Sequence, residues 1–339
     1  MKICLYLEFS QLFNGRLFRN VGTGLLSSYK NQQAILRKLN IPFTESPKSQ
    51  YDLLQINTPW LRSLFLMRRA RRRGIPIIVW AHVTAEDARE VFRFGKYVSG
   101  FIRRYLTYAY GLADIVLCPT AYTRGLLIGY GLPEEKLVVQ SNAVDVQRYA
   151  FTSERRTSGR QRYHVADGHL VVGTVGLVIP RKGIATFLQL AGRFPNASFL
   201  WFGKCYSSLL TKRLPRVRPK NVRFTGFVED IQEAFSTIDI FVFPSKEENE
   251  GMAILEAAAA GRPILVRDIP AYASWLENEK NCLKAATDEV FFLQIERLLH
   301  DASLRQRLQQ NAVVLAEAFS LPRAATKMNV LYERLLSCT

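Results

Sequence analysis

Short apolar runs of strand length recur along the whole chain, each followed by a longer stretch with helical period. KICLYLEF, YDLLQIN, PIIVWAH, ADIVLCP and KLVVQSN fill the first half; LVVGTVG, ASFLWFG, NVRFTGF, IDIFVFP and RPILVRD fill the second. Runs without polar alternation belong to strands covered on both faces. The amphipathic stretches 25–39 and 61–73, then 183–193, 229–237 and 251–260, supply the covering helices. This rhythm predicts the α/β class, parallel sheets between helical layers. At 339 residues the chain exceeds twice a common domain size of roughly 150. The polar, basic segment 151–168, FTSERRTSGRQRYHVADG, separates the two sets of runs and reads as a linker. We therefore expect two Rossmann-like domains, 1–155 and 166–317, facing a cleft. A closing helix, 318–339, is expected to pack back on the first domain through Leu321, Met328, Leu331 and Leu335. Ligands of such folds bind outside the C-terminal ends of the strands.

Composition narrows the setting. With 48% hydrophobic and 22% charged residues the chain is neither disordered nor fibrous. No uncharged apolar run approaches the roughly 18 residues of a membrane span. MKICLYLEFSQLF meets Glu8 early and offers no small-residue cleavage site, so it reads as a buried strand and not as an export signal. Five scattered cysteines form no CxxC pair, and the four histidines show no metal spacing, which fits a reducing cytoplasm and no zinc. The net charge of +17 is uneven: residues 1–150 hold 21 basic and 10 acidic side chains, a surplus of 11, which leaves 6 for the rest. A polyanionic partner or an anionic surface is expected on the first domain.

The densest chemistry lies in FVFPSKEENEGMAILEAAAAGRP, residues 241–263. A buried strand ends at Pro244-Ser245, an acidic loop follows, and Gly251 opens an alanine-rich helix. Glu248 falls in the loop and Glu256 in the helix's second turn, so both carboxylates can face one cleft. Carboxylates accept hydrogen bonds from vicinal hydroxyls, which suits a sugar or a ribose. Gly251 and the neighbouring amides can approach an anionic ligand at the helix N-terminus. Two glutamates alone equally describe an acidic loop that offsets the helix dipole.

Context along the chain separates these readings. Segment 241–263 resembles the EX7E region of retaining glycosyltransferases of family 4, which have the GT-B fold. The Gly22-Thr23-Gly24 loop, the strand ending at His82, SNAVD at 141–145, RKG at 181–183 and FTGFVED at 224–230 resemble that family in the same order. More narrowly, EENEG, VRDIPAYASWLE (266–277), WFGK (201–204) and AHVTAEDA (81–88) are similar to bacterial enzymes that glycosylate diacylglycerol or monoglycosyl-diacylglycerol. The resemblance implies that Glu256 binds the ribose of a nucleotide sugar. It implies that Glu248 meets the transferred sugar beside Asn249, Glu250, Gly251 and Met252. Arg181 and Lys182 would hold the diphosphate and stabilise the departing charge. The family's arginine slot here holds Leu177, while Gly176 and Lys182 match, so Arg181 is the candidate replacement. Gly22 and Gly24 would present backbone amides to donor and acceptor, and His82 would lie near the sugar. Out of this order, the first is a simple turn and the second a strand-end histidine bonded to backbone. SNAVD carries Ala143 where the family usually has glycine, which leaves a tight backbone role there open.

The implied reaction moves glucose or galactose from UDP-glucose or UDP-galactose, with retention, onto diacylglycerol or, by preference, monoglucosyl-diacylglycerol. The resemblance implies front-face transfer, with the leaving diphosphate taking the acceptor's proton, and neither metal nor cofactor beyond the donor.

A lipid acceptor requires a membrane-facing surface. RFGKYVSGFIRRYLTYAYGL, 93–112, has an apolar stripe through Tyr97, Val98, Phe101, Ile102, Tyr105 and Leu106, with Arg93, Lys96, Arg103 and Arg104 on another face. Phe101 and the flanking cations form the pattern of an interfacial helix. RRARRR at 68–73, after Leu61, Leu64 and Phe65, is a second candidate. Either could equally be a sheet-covering helix with a solvated face. KRLPRVRPK at 212–220 is expected to be an exposed loop. These readings put the protein on the inner face of the cell membrane as a peripheral protein. A soluble or cell-wall saccharide acceptor is the alternative. A non-enzymatic RNA binder is more remote, since no nucleic-acid motif is present and the acidic loop would be unexplained.

Overall fold

The computed structural model describes residues 1–8, 24–91, 95–205, 215 and 218–337. The first layer set runs β1 (Ile3–Tyr6), α1 (Gly24–Lys38), β2 (Phe43–Thr44), β3 (Leu53–Ile56), α2 (Leu61–Arg72), β4 (Ile77–Trp80), α3 (Ala85–Val91), α4 (Gly95–Gly111), β5 (Ile115–Cys118), α5 (Ala121–Gly129) and β6 (Leu137–Val139). Its six strands are parallel in the order β2-β1-β3-β4-β5-β6. β1, β3, β4 and β5 are buried along their whole length, the reason their sequences are apolar except at Gln55 of β3, whose amide is hydrogen-bonded to Gln32.

The second set comprises α6 (Val146–Tyr149), α7 (Ser153–Arg162), β7 (Val171–Val175), α8 (Ile184–Arg193), β8 (Ser198–Phe202), β9 (Val222–Gly226), α9 (Ile231–Thr237), β10 (Ile240–Phe243), α10 (Met252–Ala259), β11 (Ile264–Arg267), β12 (Leu283–Ala285), α11 (Asp288–His300), α12 (Ala302–Ala318) and α13 (Leu321–Ser337). Its parallel strands are ordered β12-β11-β10-β7-β8-β9. The order reverses between β7 and β10. A doubly wound sheet opens its ligand crevice at such a switch point, and the Gly176 turn and the Glu248 loop follow these two strands. Two Rossmann-like domains thus face one another.

The structure corrects the expected linker: residues 153–162 within 151–168 form α7. The Thr152 hydroxyl caps it by accepting from the Arg155 amide. Arg156 and Arg160 pair with Asp239 at 2.6 and 3.5 Å, and Arg162 with Glu233 at 3.2 Å. Gly159 comes so close to α9 that a Cβ there would lie 1.8 Å from Thr237 Oγ1. A helix docked by charge and by a glycine contact carries no apolar period.

α13 returns to the first domain. Ala324, Ala325, Met328 and Tyr332 are buried with Ile3, Leu5, Tyr29 and Leu36. Backbone bonds from Val144 N to Phe319 O (2.9 Å) and from Leu321 N to Val144 O (3.1 Å) join the two segments that cross between the domains. Gly22, Arg93 and most of the 212–220 cluster lie outside the described residues, and Lys96 is described only as a residue of α4.

Candidate active site

Both domains line one cleft of about 500 Å³. Gly24, His82 and Asp87 contribute from the first domain; Leu177, Arg181, Lys182, Glu248, Asn249, Glu250, Gly251, Met252 and Glu256 contribute from the second. Every expected catalytic or substrate-binding residue in the described chain lines this space.

The Glu248 loop is fixed by its neighbours. Gly251, at φ +86°, takes a left-handed conformation that turns the chain into α10, where a side chain would be strained. Gly183, at φ +76°, has no such freedom of replacement either: a Cβ would meet Pro244 O at 2.1 Å. That contact brings the Arg181–Lys182 turn directly onto the end of β10. Lys182 Nζ donates to Glu248 Oε1 at 2.5 Å, and Arg181 Nη1 lies 3.5 Å from the same oxygen. Burial favours a neutral Glu248, but the two cations outweigh it and hold the carboxyl below the usual carboxylate range.

Glu256 accepts from Tyr149 Oη of α6 at 2.8 Å. Burial raises its carboxyl to about 7, partly opposed by hydrogen bonds from Tyr149 and Ser27. Glu250 accepts from Asn142 N (3.1 Å) and Asn142 Nδ2 (2.6 Å) of the first domain. Burial likewise lifts it to about 7, against the Ser141 and Asn142 hydrogen bonds. His82 stacks on Trp80 with ring centroids 5.4 Å apart, and Ser28 Oγ is 3.4 Å from its Nε2. Burial lowers its pKa to about 3, so the ring is neutral near pH 7 and suits hydrogen bonding better than proton donation.

Asn249 ties the loop to the opposite wall. Its backbone oxygen accepts from Thr120 Oγ1 at 2.9 Å and Thr123 Oγ1 at 3.3 Å; its Nδ2 donates to His82 O at 3.1 Å and to Asp87 Oδ2 at 2.7 Å. Tyr122 Oη donates to Glu247 at 2.9 Å beside it. Ala143 stands at φ +59°, so the glycine-type turn of SNAVD survives with alanine in it. Leu177 and Arg181 both line the cleft, and the guanidinium lies among Asp87, Glu248 and the Glu247 carbonyl.

Sequence reading missed Asp87, Asn142 and Tyr149. Asp87 and Asn142 stand inside AHVTAEDA and SNAVD, so the segments were legible while the functional atoms were not. Tyr149 carried no motif; only its partner 107 positions away gives it meaning.

Comparison with known proteins accords with this geometry. Residues 13–148 match the model of Glycosyltransferase Family 4, and residues 156–313 match that of Glycosyl transferases group 1. The processive diacylglycerol alpha-glucosyltransferase of Acholeplasma laidlawii is 30% identical over 99% of both chains. The alpha-galactosylglucosyldiacylglycerol synthase of Streptococcus pneumoniae is 26% identical over 76% of this chain and 71% of its own. Anabaena HepE, solved in complex with UDP and glucose, superposes with a TM-score of 0.77 at 16% identity, covering 98% of this chain and 100% of its own. That likeness concerns the fold. WaaG, a glycosyltransferase involved in lipopolysaccharide biosynthesis, gives a TM-score of 0.68 at 15% identity over 96% and 98%. With two family models end to end along its length and a full-length relative, the chain belongs to the group 1/family 4 glycosyltransferases of GT-B fold.

Proposed function

We propose that this glycosyltransferase moves a hexose from UDP-glucose or UDP-galactose, with retention of configuration, onto diacylglycerol or monoglucosyl-diacylglycerol. The observation that carries the reading is the division of labour in one cleft. Two half-buried cations, Arg181 and Lys182, stand beside an ionised Glu248, and Glu256 lines the same cleft from α10. Glu256 suits the ribose hydroxyls, Glu248 the transferred sugar, and the cations the charge that develops as the diphosphate leaves. Gly24 suits close approach of donor and acceptor to the backbone. The acceptor class is taken from the full-length relative, named for diacylglycerol.

Catalysis here needs no metal in our reading. The carboxylates at the centre are already committed: Glu248 to Lys182, Glu250 to Asn142, Glu256 to Tyr149 and Asp87 to Arg181 and Asn249. Activity that survives EDTA accords with this; complete loss that a divalent cation restores overturns it.

The acceptor's position argues for peripheral attachment on the inner membrane face. Among the described residues no helix is long and apolar enough to cross a membrane. α2 and α4 are linked by Arg68 to Tyr108 Oη (2.8 Å), and Tyr105 Oη of α4 donates to Pro59 O (2.6 Å) just before α2. Their outer faces expose Leu61, Phe65, Tyr97 and Phe101, while Leu64, Leu66, Leu106 and Ala109 are buried. The stripe read from sequence thus divides into a core half and an exposed aromatic half. Arg104 is exposed; Arg103 also donates to Gly129 O and covers the Tyr130 ring. Exposed aromatics rimmed by arginine suit an anionic lipid surface, where each cation contributes about 1 kcal/mol.

The deciding assay offers UDP-glucose and UDP-galactose in turn with diacylglycerol, monoglucosyl-diacylglycerol or soluble sugars, the lipids in anionic vesicles. Transfer to lipid with an α-anomeric product by NMR is expected. Transfer only to soluble sugars would move the acceptor to the saccharide class, and a β-linked product would overturn retention.

A further inference from the structure

We propose that Asp87 is a positioning residue that aims the Arg181 guanidinium from across the cleft, so that the diphosphate site is complete only when the two domains meet. This role rests on Arg181 holding the diphosphate, as proposed above. Asp87 belongs to α3 of the first domain, and Arg181 to the turn after β7 in the second. Asp87 Oδ1 lies 3.2 Å from Arg181 Nη1. Its other oxygen accepts from Asn249 Nδ2 at 2.7 Å and from the Thr84 amide and hydroxyl at 3.3 and 3.2 Å. One carboxylate therefore holds both residues that flank Glu248 in space.

Charges alternate across the gap: Asp87, Arg181, Glu248, Lys182. Removing one anion leaves Arg181 with the Glu247 carbonyl and with Glu248, which Lys182 already engages more closely, at 2.5 against 3.5 Å. The long arginine side chain then gains rotamer freedom that the ion pair had removed. Asp87 is poorly suited to act as a base, since both oxygens are engaged. Leu177, lining the same cleft, supplies no cation of its own. An arginine reached through the partner domain differs from one built into the second domain alone: its orientation depends on closure.

The test is a double-mutant cycle in the full-length protein, with Asp87→Asn, Arg181→Gln and the combined variant. Turnover is measured with whichever of UDP-glucose and UDP-galactose the parent uses, UDP binding by calorimetry, and folding by melting temperature. Asp87→Asn should lower kcat at least tenfold while changing the donor KM less than threefold, since a loosened guanidinium still attracts the ground-state diphosphate but misses the developing charge. In the Arg181→Gln background the same change should cost less than twofold. Asp87→Glu, which keeps the charge, should recover part of the loss, and it decides the question if the asparagine variant folds poorly. Losses that multiply, or parental kcat in Asp87→Asn, overturn the inference while leaving the diphosphate site standing. Parental kcat and UDP affinity in Arg181→Gln overturn the diphosphate assignment itself, and this inference with it.

Discussion

Ala143 occupies a backbone conformation, φ +59°, that costs an alanine about 1–2 kcal/mol relative to a glycine. Asn31 Nδ2 holds the turn by donating to Ala143 O at 2.8 Å, and Ala143 itself is buried. Replacing it by glycine removes the strain but frees the unfolded chain, so Ala143→Gly should raise stability by roughly 0.5–1 kcal/mol. Thermal unfolding measures it; a lower melting temperature would show that the methyl group's packing outweighs the turn. A second prediction concerns Glu256, raised by burial to about 7. Below that value the carboxyl is protonated, and above it the ionised group becomes the stronger acceptor for the ribose hydroxyls that we propose it binds. UDP-glucose, whose diphosphate does not titrate near neutrality, should therefore bind about three to ten times more tightly at pH 8 than at pH 6. Glu256→Gln should flatten that profile. An unchanged slope in the variant would assign the titration to another group.

At the scale of elements, the exposed ends of α2 and α4 make a prediction that the arginines alone cannot. Reversing Arg103 would also break its contacts with Gly129 and Tyr130, so loss of binding there is ambiguous. Phe101→Ser together with Tyr97→Ser removes exposed aromatics that are, respectively, 75% and 87% accessible, and so should leave folding intact. Sedimentation with anionic vesicles should fall at least tenfold, while UDP affinity stays parental; undiminished sedimentation would exclude this face as the anchor. Sequence legibility divides along the same physical lines. Fully buried strands announce themselves, because a strand covered on both faces takes apolar residues except where a polar one is hydrogen-bonded, as Gln55 is in β3. β2 and β12, of 2 and 3 residues, are too short for any period. α7 was hidden because its attachment is ionic. The site motifs were legible as segments, whereas Asp87 and Tyr149 work through partners that only folding brings near.

Across the whole molecule, a buried polar chain links α13 to the second domain. Tyr332 Oη donates to Gln55 Oε1 (2.8 Å), Gln55 Nε2 to Gln32 Oε1 (2.8 Å), Gln32 Nε2 to Ser28 Oγ (3.1 Å) and Ser28 Oγ to Asn142 Oδ1 (2.6 Å), whose amide reaches Glu250. Each amide accepts from one neighbour and donates to the next, so loss of the first donor strands a buried oxygen. Tyr332→Phe should cost about 1–3 kcal/mol, read by denaturant unfolding; a neutral result would mean that the chain re-forms around the gap. The return of α13 has a topological consequence as well. Both the first strand and the final helix belong to the same half, so the second half is an insert within the first, entered near residue 144 and left near 320. Those two crossings are stitched side by side by Val144. Two adjacent tethers permit a swing about one edge but resist sliding and separation. A single proteolytic nick in either tether should thus leave a two-fragment protein that co-elutes as one particle and still opens and shuts like a book with half its spine cut.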